Sequence, residues 1–519
     1  MISKSLFCLG LAGLAAASLD APVRADVVPA YMFSDNAVLQ RDKPIPVWGT
    51  ADAGEKVSVS FAGKTADATA DAAGKWRVDL PALPANATPA NMVIKGKNTV
   101  TRTNILVGEV WLASGQSNML QMVNETFDSA LDIAGSAHFP MIRELKPDQQ
   151  TAYTPQTTGT GSWKVAGPQT TGEFSAIGYH YALTLYKVLN IPVGIINTSR
   201  GGSTIETWVD PATMGADPIF EMAAKHRDKK LAEYPAIKAK LDADIKKWEA
   251  DKAAAKAAGK PFTTQRPSHG WGGTPGGPDD VFMPSAYYNG MLHPLIPYAL
   301  RGVIWYQGEG NVGGHAGYAK AFPLLITKWR EKFGQGDFPF YWVQLSSGGA
   351  NNWQGGVLWA FMREAQTKAL SLPNTGQAIS FDLGHSHIHP QRKQELGRRL
   401  ARIALARTYG QKITDTAPEV EKMEREGTGF RITFKSPHGR QVLTSYYEAI
   451  SGFELAGEDR VFKPATGTIE KGISVLVTSA EVPDPVAVRY AWRDSVVPGL
   501  FDHSEGLPVA AFRSDDWER

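Results

Sequence analysis

The sequence predicts a mixed α/β fold, with a parallel sheet as its core and β modules at both ends. From residue 106 to residue 415, short apolar runs alternate with segments of helical period, which is typical of a parallel sheet covered by helices on both faces. On either side of this region, apolar and polar residues alternate with period two between turns, which indicates half-buried strands. At 519 residues, 43% of them hydrophobic and 20% charged, the chain is long enough for two or three domains.

Residues 1–25 have the pattern of a signal peptide. Lys4 precedes an apolar run over residues 6–17, and small residues follow at the cleavage positions. The run is shorter than the roughly 20 residues that span a bilayer, so a membrane anchor is the weaker alternative. We expect a mature chain that begins at Asp26, is periplasmic or secreted, and has no membrane partner. Because the single cysteine, Cys8, lies in this segment, the mature chain has neither a disulfide nor a thiol nucleophile.

The charge balance excludes two classes of partner. The chain has 54 Lys and Arg against 52 Asp and Glu, a formal net charge of +2. Such a balance gives no electrostatic basis for binding nucleic acid or an anionic membrane surface.

The two ends of the chain are predicted to be β modules. Residues 26–105 are expected to form a β-sandwich, with clean alternation over residues 56–61. Alternation returns in residues 416–519, for example at residues 430–434. This second module is either independent or packed on the first.

Residues 106–415 are predicted to be the functional core. The expected strands are 109–114, 192–197, 302–306, 340–345 and 377–382, and the expected helices are 175–189, 317–333, 357–370 and 393–409. Parallel sheets of this kind place their sites at the carboxyl ends of the strands. Residues 209–282 interrupt the pattern with a charged segment, in which apolar residues from Ile237 to Trp248 recur at helical spacing. This insertion is either a rim or lid over the site, or a solvated helix with no role in binding.

Two turns that follow predicted strands carry groups suited to acyl transfer. In Trp-Leu-Ala-Ser-Gly-Gln-Ser-Asn-Met (111–119), Ser117 follows a strand, so its hydroxyl is exposed and its N–H faces a developing oxyanion. A helix cap is the alternative role for this serine. In residues 197–208, Gly201 and Gly202 allow the backbone to approach a ligand closely, although such a turn also occurs without any function.

Two further strand ends carry polar side chains. Gln307 and Glu309 follow an apolar strand, where an amide can donate to an oxyanion and a carboxylate can orient a histidine or a sugar hydroxyl. His389 is the last of three histidines at alternate positions from residue 385. A metal site is the weaker interpretation of these histidines, because no cysteine or acidic cluster completes the ligand set. A base for a serine nucleophile needs only one of them.

Four motifs together resemble the sialate O-acetylesterase family, a branch of the SGNH (GDSL-like) hydrolases. They are WLASGQSNM, SRGGSTIETW, YNGMLHPLIPYALRGVIWYQGEGN and IHPQRKQELGRRLA, at residues 111–119, 199–208, 288–311 and 388–401. The resemblance covers most of the mature chain, although the 209–282 insertion is less typical. It implies a three-layer, flavodoxin-like core, a carboxylic ester hydrolase that acts on acetylated carbohydrate, and no metal or other cofactor.

The resemblance also implies roles for individual residues. Ser117 matches the nucleophile and His389 matches its base. The N–H groups of Ser117 and of Gly202, with Gly201 as the alternative, match the oxyanion hole. Gln307 stands where many SGNH enzymes have asparagine, as the third donor.

One position departs from the family pattern. Many SGNH enzymes have aspartate three residues before the histidine, and here that position is Ser386. Asp382 is the preferred orienting acid because it is close in sequence, and Glu309 is the alternative. A dyad aided by a backbone carbonyl is a third arrangement.

The substrate is less constrained than the reaction. Arg200, Trp208, Glu309 and Asn311 are the expected substrate-binding residues. Tryptophans at 163, 208, 271 and 353 lie in loops, where they either stack on sugar rings or pack internally. We expect an acetylated plant polysaccharide such as xyloglucan or xylan. Sialic acid is the alternative, favoured if Arg200 or Arg143 lies near the site; a non-catalytic carbohydrate-binding protein and a lipase or thioesterase are the other classes.

Overall fold

The computed structural model describes residues 26–348, 356–384, 387–436, 441–446 and 450–518. The predicted signal peptide, Trp353 and Ser386 lie outside these ranges. None of the helices within them combines the length and apolar character that crossing a membrane requires.

The N-terminal module is built from eight strands. They are β1 (Val28–Pro29), β2 (Val38–Gln40), β3 (Ile45–Thr50), β4 (Lys56–Phe61), β5 (Lys64–Thr69), β6 (Lys75–Leu80), β7 (Asn86–Lys95) and β8 (Thr99–Gly115). Strands β1, β3 and β6 form one sheet, while β2, β4, β5 and β7 belong to the sheet that contains β8. In β4, Val57, Val59 and Phe61 are buried, as the alternation predicts. Since β8 runs 17 residues from the module into the core, the boundary predicted at residue 105 falls inside one continuous strand.

The core sheet adds six strands to β8. They are β9 (Ile142–Pro147), β10 (Gly161–Val165), β11 (Val193–Asn197), β12 (Gly302–Tyr306), β13 (Phe340–Val343) and β14 (Thr375–Ala378). Their order is β10-β9-β11-β8-β12-β13-β14, and every neighbouring pair is parallel except the edge pair β10–β9. Every residue of β11 to β14 is buried, which explains the apolar runs of β11, β12 and β13. The mixed α/β fold is thus confirmed.

Eight α-helices connect or flank these strands. They are α1 (Ser117–Leu120), α2 (Ser129–Gly135), α3 (Ala176–Leu189), α4 (Pro211–Ala216), α5 (Glu221–Ala257), α6 (His315–Phe333), α7 (Leu358–Thr367) and α8 (Lys393–Arg407). Helix α3 begins after Ser175, whose hydroxyl caps it, and ends at Asn190 in the left-handed conformation. It packs on α8 and on Trp111, while α6 packs on α7 and on Trp305. Register places these two tryptophans on opposite faces of the sheet, because Trp111 pairs with Gly302.

The insertion between β11 and β12 contains a long exposed helix. Helix α5 has 37 residues, none of them buried, so it begins well before the predicted segment. The apolar stripe from Ile237 to Trp248 is only half-buried. The structure therefore gives this helix little packing against the core.

Nine strands form the part of the C-terminal module that the structure describes. They are β15 (Val420–Glu426), β16 (Gly429–Phe434), β17 (Leu443–Thr444), β18 (Ile450–Ala456), β19 (Lys463–Glu470), β20 (Ser474–Thr478), β21 (Ala487–Tyr490), β22 (Phe501–Asp502) and β23 (Phe512–Arg513). The main sheet has the order β15-β16-β20-β19-β18-β21-β23, and β17 pairs with β22. The module packs on α7 of the core, through the Arg513–Glu364 ion pair of 2.8 Å and a hydrogen bond from Arg363 to the Ala491 carbonyl.

Candidate active site

Ser117 begins the short helix α1 at the carboxyl end of β8. The strand ends at Gly115, which has φ of 125° and lies so close to β12 that a Cβ would be 2.1 Å from the Tyr306 carbonyl oxygen. Only glycine fits there. The Gln116 side-chain oxygen then accepts a hydrogen bond of 3.3 Å from the N–H of Gly308, in the loop after β12. Two adjacent strands therefore fix the position of the serine.

The structure brings His389 to this serine across 272 residues of sequence, with 2.8 Å between Ser117 Oγ and His389 Nε2. Both residues line a cleft of about 510 Å³. Burial lowers the pKa of His389, the positive charges of Lys393 and His387 lower it further, and the Glu125 carboxylate opposes them. A lowered pKa keeps the imidazole neutral near pH 7, which is the form that accepts a proton.

The glycine turn after β11 lies beside the serine. A Cβ on Gly201 would lie 3.8 Å from Ser117 Cβ, and the neighbouring Gly202 has φ of 71°. The turn is tied to β8 by a 2.9 Å hydrogen bond from the Arg200 N–H to the Gly115 carbonyl. Within the described residues, the N–H groups of Ser117, Gly201 and Gly202 donate no hydrogen bond. These donors are therefore free to bind an anion.

Gln307 does not face the cleft, which corrects its predicted role as third oxyanion donor. The side chain is fully buried, and its amide nitrogen donates to the Ser203 carbonyl at 3.2 Å and to Asn311 Oδ1 at 2.8 Å. Both amide hydrogens are thus used inside the protein. Asn311, predicted to bind substrate, instead holds this turn from inside, because it also accepts from the Ile205 N–H and donates to Glu206.

The predicted orienting acids are both engaged elsewhere. The two oxygens of Asp382 accept hydrogen bonds of 2.7 and 2.6 Å from Arg399, and Glu309 accepts one from Asn118. Neither carboxylate is hydrogen-bonded to His389. The predicted role of Asp382 as the orienting acid is therefore corrected, because Asp382 forms an ion pair with Arg399. In the part of the chain that the structure describes, the serine and the histidine form a dyad.

Asn118 connects the serine turn to the histidine loop, a role that the sequence did not reveal. Its amide nitrogen donates to Glu309 Oε1 and, at 2.8 Å, to the carbonyl of Ile388, which precedes the histidine. Its oxygen accepts a hydrogen bond from the Lys393 ammonium. The side chain of Lys393 is fully buried. We refer to Asn118, Glu309 and Lys393 as the buried network.

Burial shifts the pKa of both ionisable members of the buried network. It raises the pKa of Glu309 to about 7, against the hydrogen bond from Asn118 and the charge of Lys393. It lowers the pKa of Lys393 to about 7, against the charge of Glu309. Each charge therefore stabilises the other beside the protein core, where Lys393 is fully buried and Glu309 is partly buried.

Comparison with known proteins shows similarity to esterases, as the geometry of the site does. Residues 284–406 match the model of the family described as "carbohydrate esterase, sialic acid-specific acetylesterase". A crystal structure of a carbohydrate acetylesterase from Xanthomonas citri is 34% identical, with a TM-score of 0.79, over 95% of this chain and 100% of that one. The chain belongs to the sialate O-acetylesterase family.

Curated members of this family show similarity over nearly the same length. The sialate O-acetylesterase of Mus musculus is 27% identical over 504 residues, which is 89% of this chain and 88% of the mouse protein. The Rattus norvegicus enzyme is 29% identical over the same shares. The protein is therefore a carboxylic ester hydrolase with carbohydrate O-acetylesterase activity, and its substrate is an acetylated carbohydrate.

The two arginines considered for this acetylesterase lie in different places. Arg143 is 2% exposed and donates hydrogen bonds to backbone carbonyls of the N-terminal module. Arg200 donates hydrogen bonds to Gln149, which lines the cleft, and to Tyr287. Lys146 also lines the cleft. Neither Arg200 nor Lys146 forms an ion pair with a carboxylate of the described residues.

The tryptophans considered as sugar-stacking residues also differ in their exposure to solvent. Trp208, predicted to bind substrate, is fully buried and donates to the Ser203 hydroxyl, so this prediction is corrected by its packing. Trp163 is 2% exposed. Trp271 is 67% exposed, and its ring lies over the glycine turn, where a Cβ on Gly202 would be 2.6 Å from the indole. Of the three described candidates, only Trp271 presents a ring to solvent near the serine.

Proposed function

We propose that this acetylesterase is exported and removes acetyl groups from plant cell-wall polysaccharides such as xyloglucan or xylan, through an acetyl-enzyme on Ser117. The observation that supports it is the 2.8 Å contact between Ser117 Oγ and His389 Nε2, beside a turn with unengaged N–H groups. We also assign the core to the three-layer SGNH arrangement. The parallel strand order and the two helix pairs that pack on Trp111 and Trp305 support this assignment.

The mechanism starts from the hydrogen bond between Ser117 Oγ and His389 Nε2. His389 Nε2 takes the Ser117 proton, and the serine oxygen attacks the acetyl carbonyl carbon. The resulting oxyanion accepts hydrogen bonds from the N–H of Ser117 and of Gly202 or Gly201, each worth about 3 to 4 kcal/mol to the transition state. Collapse expels the sugar oxygen, which takes the proton from His389. Water then repeats these steps on the acetyl-enzyme and releases acetate.

The shape of the surface supports a polymeric substrate. Met122 and Lys146 line both the cleft at Ser117 and a second hollow of about 500 Å³. His389 and Gln391 line both the cleft and a third hollow of about 290 Å³. Adjoining hollows on two sides of the serine offer space for sugar residues on both sides of the acetylated one.

Sialic acid is the second candidate substrate. Lys146 lines the cleft and Arg200 binds the cleft residue Gln149; neither cation has a carboxylate partner among the described residues, and a carboxylate sugar would supply one. The curated relatives are also named sialate O-acetylesterases.

The test is acetate release from acetylated xyloglucan, xylan, pectin and sialosides, each with the wild type and with Ser117→Ala. We expect release from the plant polysaccharides to be fastest, and none from the variant. Faster release from sialosides would replace the plant polysaccharides with sialic acid. No release from any of the glycans, together with no labelling by a fluorophosphonate probe, would favour a non-catalytic carbohydrate-binding protein. Preference for long acyl esters would favour a lipase or thioesterase.

A further inference from the structure

The indole of Trp271 is a large exposed apolar surface that the acetyl-transfer chemistry does not use. It is 67% exposed, although tryptophan is highly buried on average. It lies in the 209–282 insertion, which the family motifs do not cover. Nothing in the mechanism above gives this ring a role.

The indole ring of Trp271 lies against Gly202, which adjoins Gly201 in the glycine turn beside Ser117. Two of its carbon atoms would lie 2.6 and 3.0 Å from a Cβ on Gly202, so they cover the open face of that glycine. The preceding residue, Gly201, lies beside the nucleophile, because a Cβ on it would be 3.8 Å from Ser117 Cβ. A group bound against the indole is therefore adjacent to the position where an acetyl ester is cleaved.

The loop that carries Trp271 is fixed by a buried carboxylate. Asp280 is 2% exposed and accepts hydrogen bonds from the N–H groups of Gly276 at 2.8 Å and Phe282 at 2.9 Å. It also forms a 2.8 Å ion pair with Lys230 of helix α5. The Phe282 ring then supports the indole edge-on, with 5.3 Å between ring centroids. Because the ring is held before any ligand binds, little conformational entropy is lost on binding.

We propose that Trp271 is a sugar-stacking residue that determines specificity, and that the insertion serves the site by presenting it. The apolar C–H face of a pyranose ring packs on an indole face, while the sugar hydroxyls stay in water or reach polar side chains. The ring next to Ser117 would hold the sugar that leaves when the ester is cleaved. The proposal rests on the proposed function, because it concerns the leaving group of that same reaction.

The consequence differs between substrates, and this difference is the test. p-Nitrophenyl acetate has no sugar, so Trp271→Ala should lower its kcat/KM far less than that of an acetylated glycan. The same variant should lower kcat/KM for acetylated xyloglucan by about tenfold or more. Trp271→Phe, which keeps an aromatic face, should retain most of the glycan activity. Tyr446→Ala is the matched control, because Tyr446 is a 70% exposed aromatic residue in the C-terminal module.

Two kinetic results would overturn the proposal. Equal losses on both substrates would mean that the indole only supports the Gly202 turn. Unchanged glycan activity in Trp271→Ala would mean that no sugar contacts it.

A binding measurement separates this proposal from the proposed function. Affinity for acetylated xylo-oligosaccharides and acetylated sialosides is measured by calorimetry in Ser117→Ala, with and without Trp271→Ala. Weaker binding in the double variant supports stacking, and equal binding contradicts it. If Ser117→Ala kept full turnover, the proposed mechanism would fail while the binding comparison still decided the role of Trp271.

Discussion

The buried network behind Ser117 and the exposed helix α5 use charge in opposite ways. The network has one lysine and one glutamate, joined through Asn118 and withdrawn from water. Helix α5 has five lysine–carboxylate pairs at i,i+4 spacing, such as Lys247–Asp251, on a helix with no buried residue. A few charges shielded from solvent determine the geometry of the site, whereas the many solvent-exposed charges of helix α5 only make its surface polar.

The largest effect expected from any change concerns the base itself. His389→Asn should lower kcat for p-nitrophenyl acetate by about 10³-fold or more, because Ser117 then has no proton acceptor. The melting temperature should hardly change, since the imidazole is only partly buried. Stopped-flow or steady-state rates with thermal unfolding check both statements. Substantial activity in this variant would show that another group is the base.

The next largest effect is a loss of stability when the buried network is disrupted, which no change on helix α5 should match. Lys393→Met removes the charge that favours ionised Glu309 and the donor to Asn118, so the free energy of unfolding should fall by about 1 to 3 kcal/mol. Denaturant titration measures this loss. Lys393→Met combined with Glu309→Gln should recover part of it, because neither charge is then isolated. If the double variant were less stable than the single one, the two charges would not compensate each other.

The pH dependence should shift in opposite directions when the two charges near His389 are removed. Activity requires neutral His389, so kcat/KM rises with pH through its pKa, and burial places this rise below the ordinary pKa of about 6.5. Lys393→Met removes a positive charge, which raises the pKa of His389 and moves the rise to higher pH. Glu125→Gln removes a negative charge and moves it to lower pH. Shifts in the same direction would contradict this electrostatic account.

The smallest effect is expected on helix α5. Asp251→Asn breaks the 2.6 Å pair with Lys247, whose two side chains are largely exposed. Neither the melting temperature nor kcat/KM should change measurably, because water and salt screen such pairs. A clear loss of stability would show that α5 contributes to the fold through its charges.

The sequence predicted the parts of the fold whose patterns are local. Strand β12 has its predicted bounds, and helix α3 begins one residue after its predicted start, at the cap Ser175. Strand β9 escaped prediction because Arg143 and Glu144 interrupt its apolar pattern. Both are buried there, paired with groups from distant segments. A charge that finds its partner far along the chain cannot be distinguished in sequence from a charge in a loop.

The sequence indicated individual residues of the site but not the hydrogen bonds that join them. Motif order indicated Ser117 and His389, since each follows a strand of one parallel sheet. The structure gives Gln307 and Asp382 other partners, the Ser203 carbonyl and Arg399, which the sequence does not indicate. Asn118 was missed although it adjoins the serine, since its contact with the lysine spans 275 residues.

Covalent labelling of the nucleophile gives the most direct test of the role of Ser117. The protein is treated with a fluorophosphonate probe and digested, and the modified peptide is sequenced by mass spectrometry. We expect the probe on Ser117 in the wild type, much slower labelling in His389→Asn, and none in Ser117→Ala. A probe attached to a different serine, with acetate still released by Ser117→Ala, would contradict the central claim.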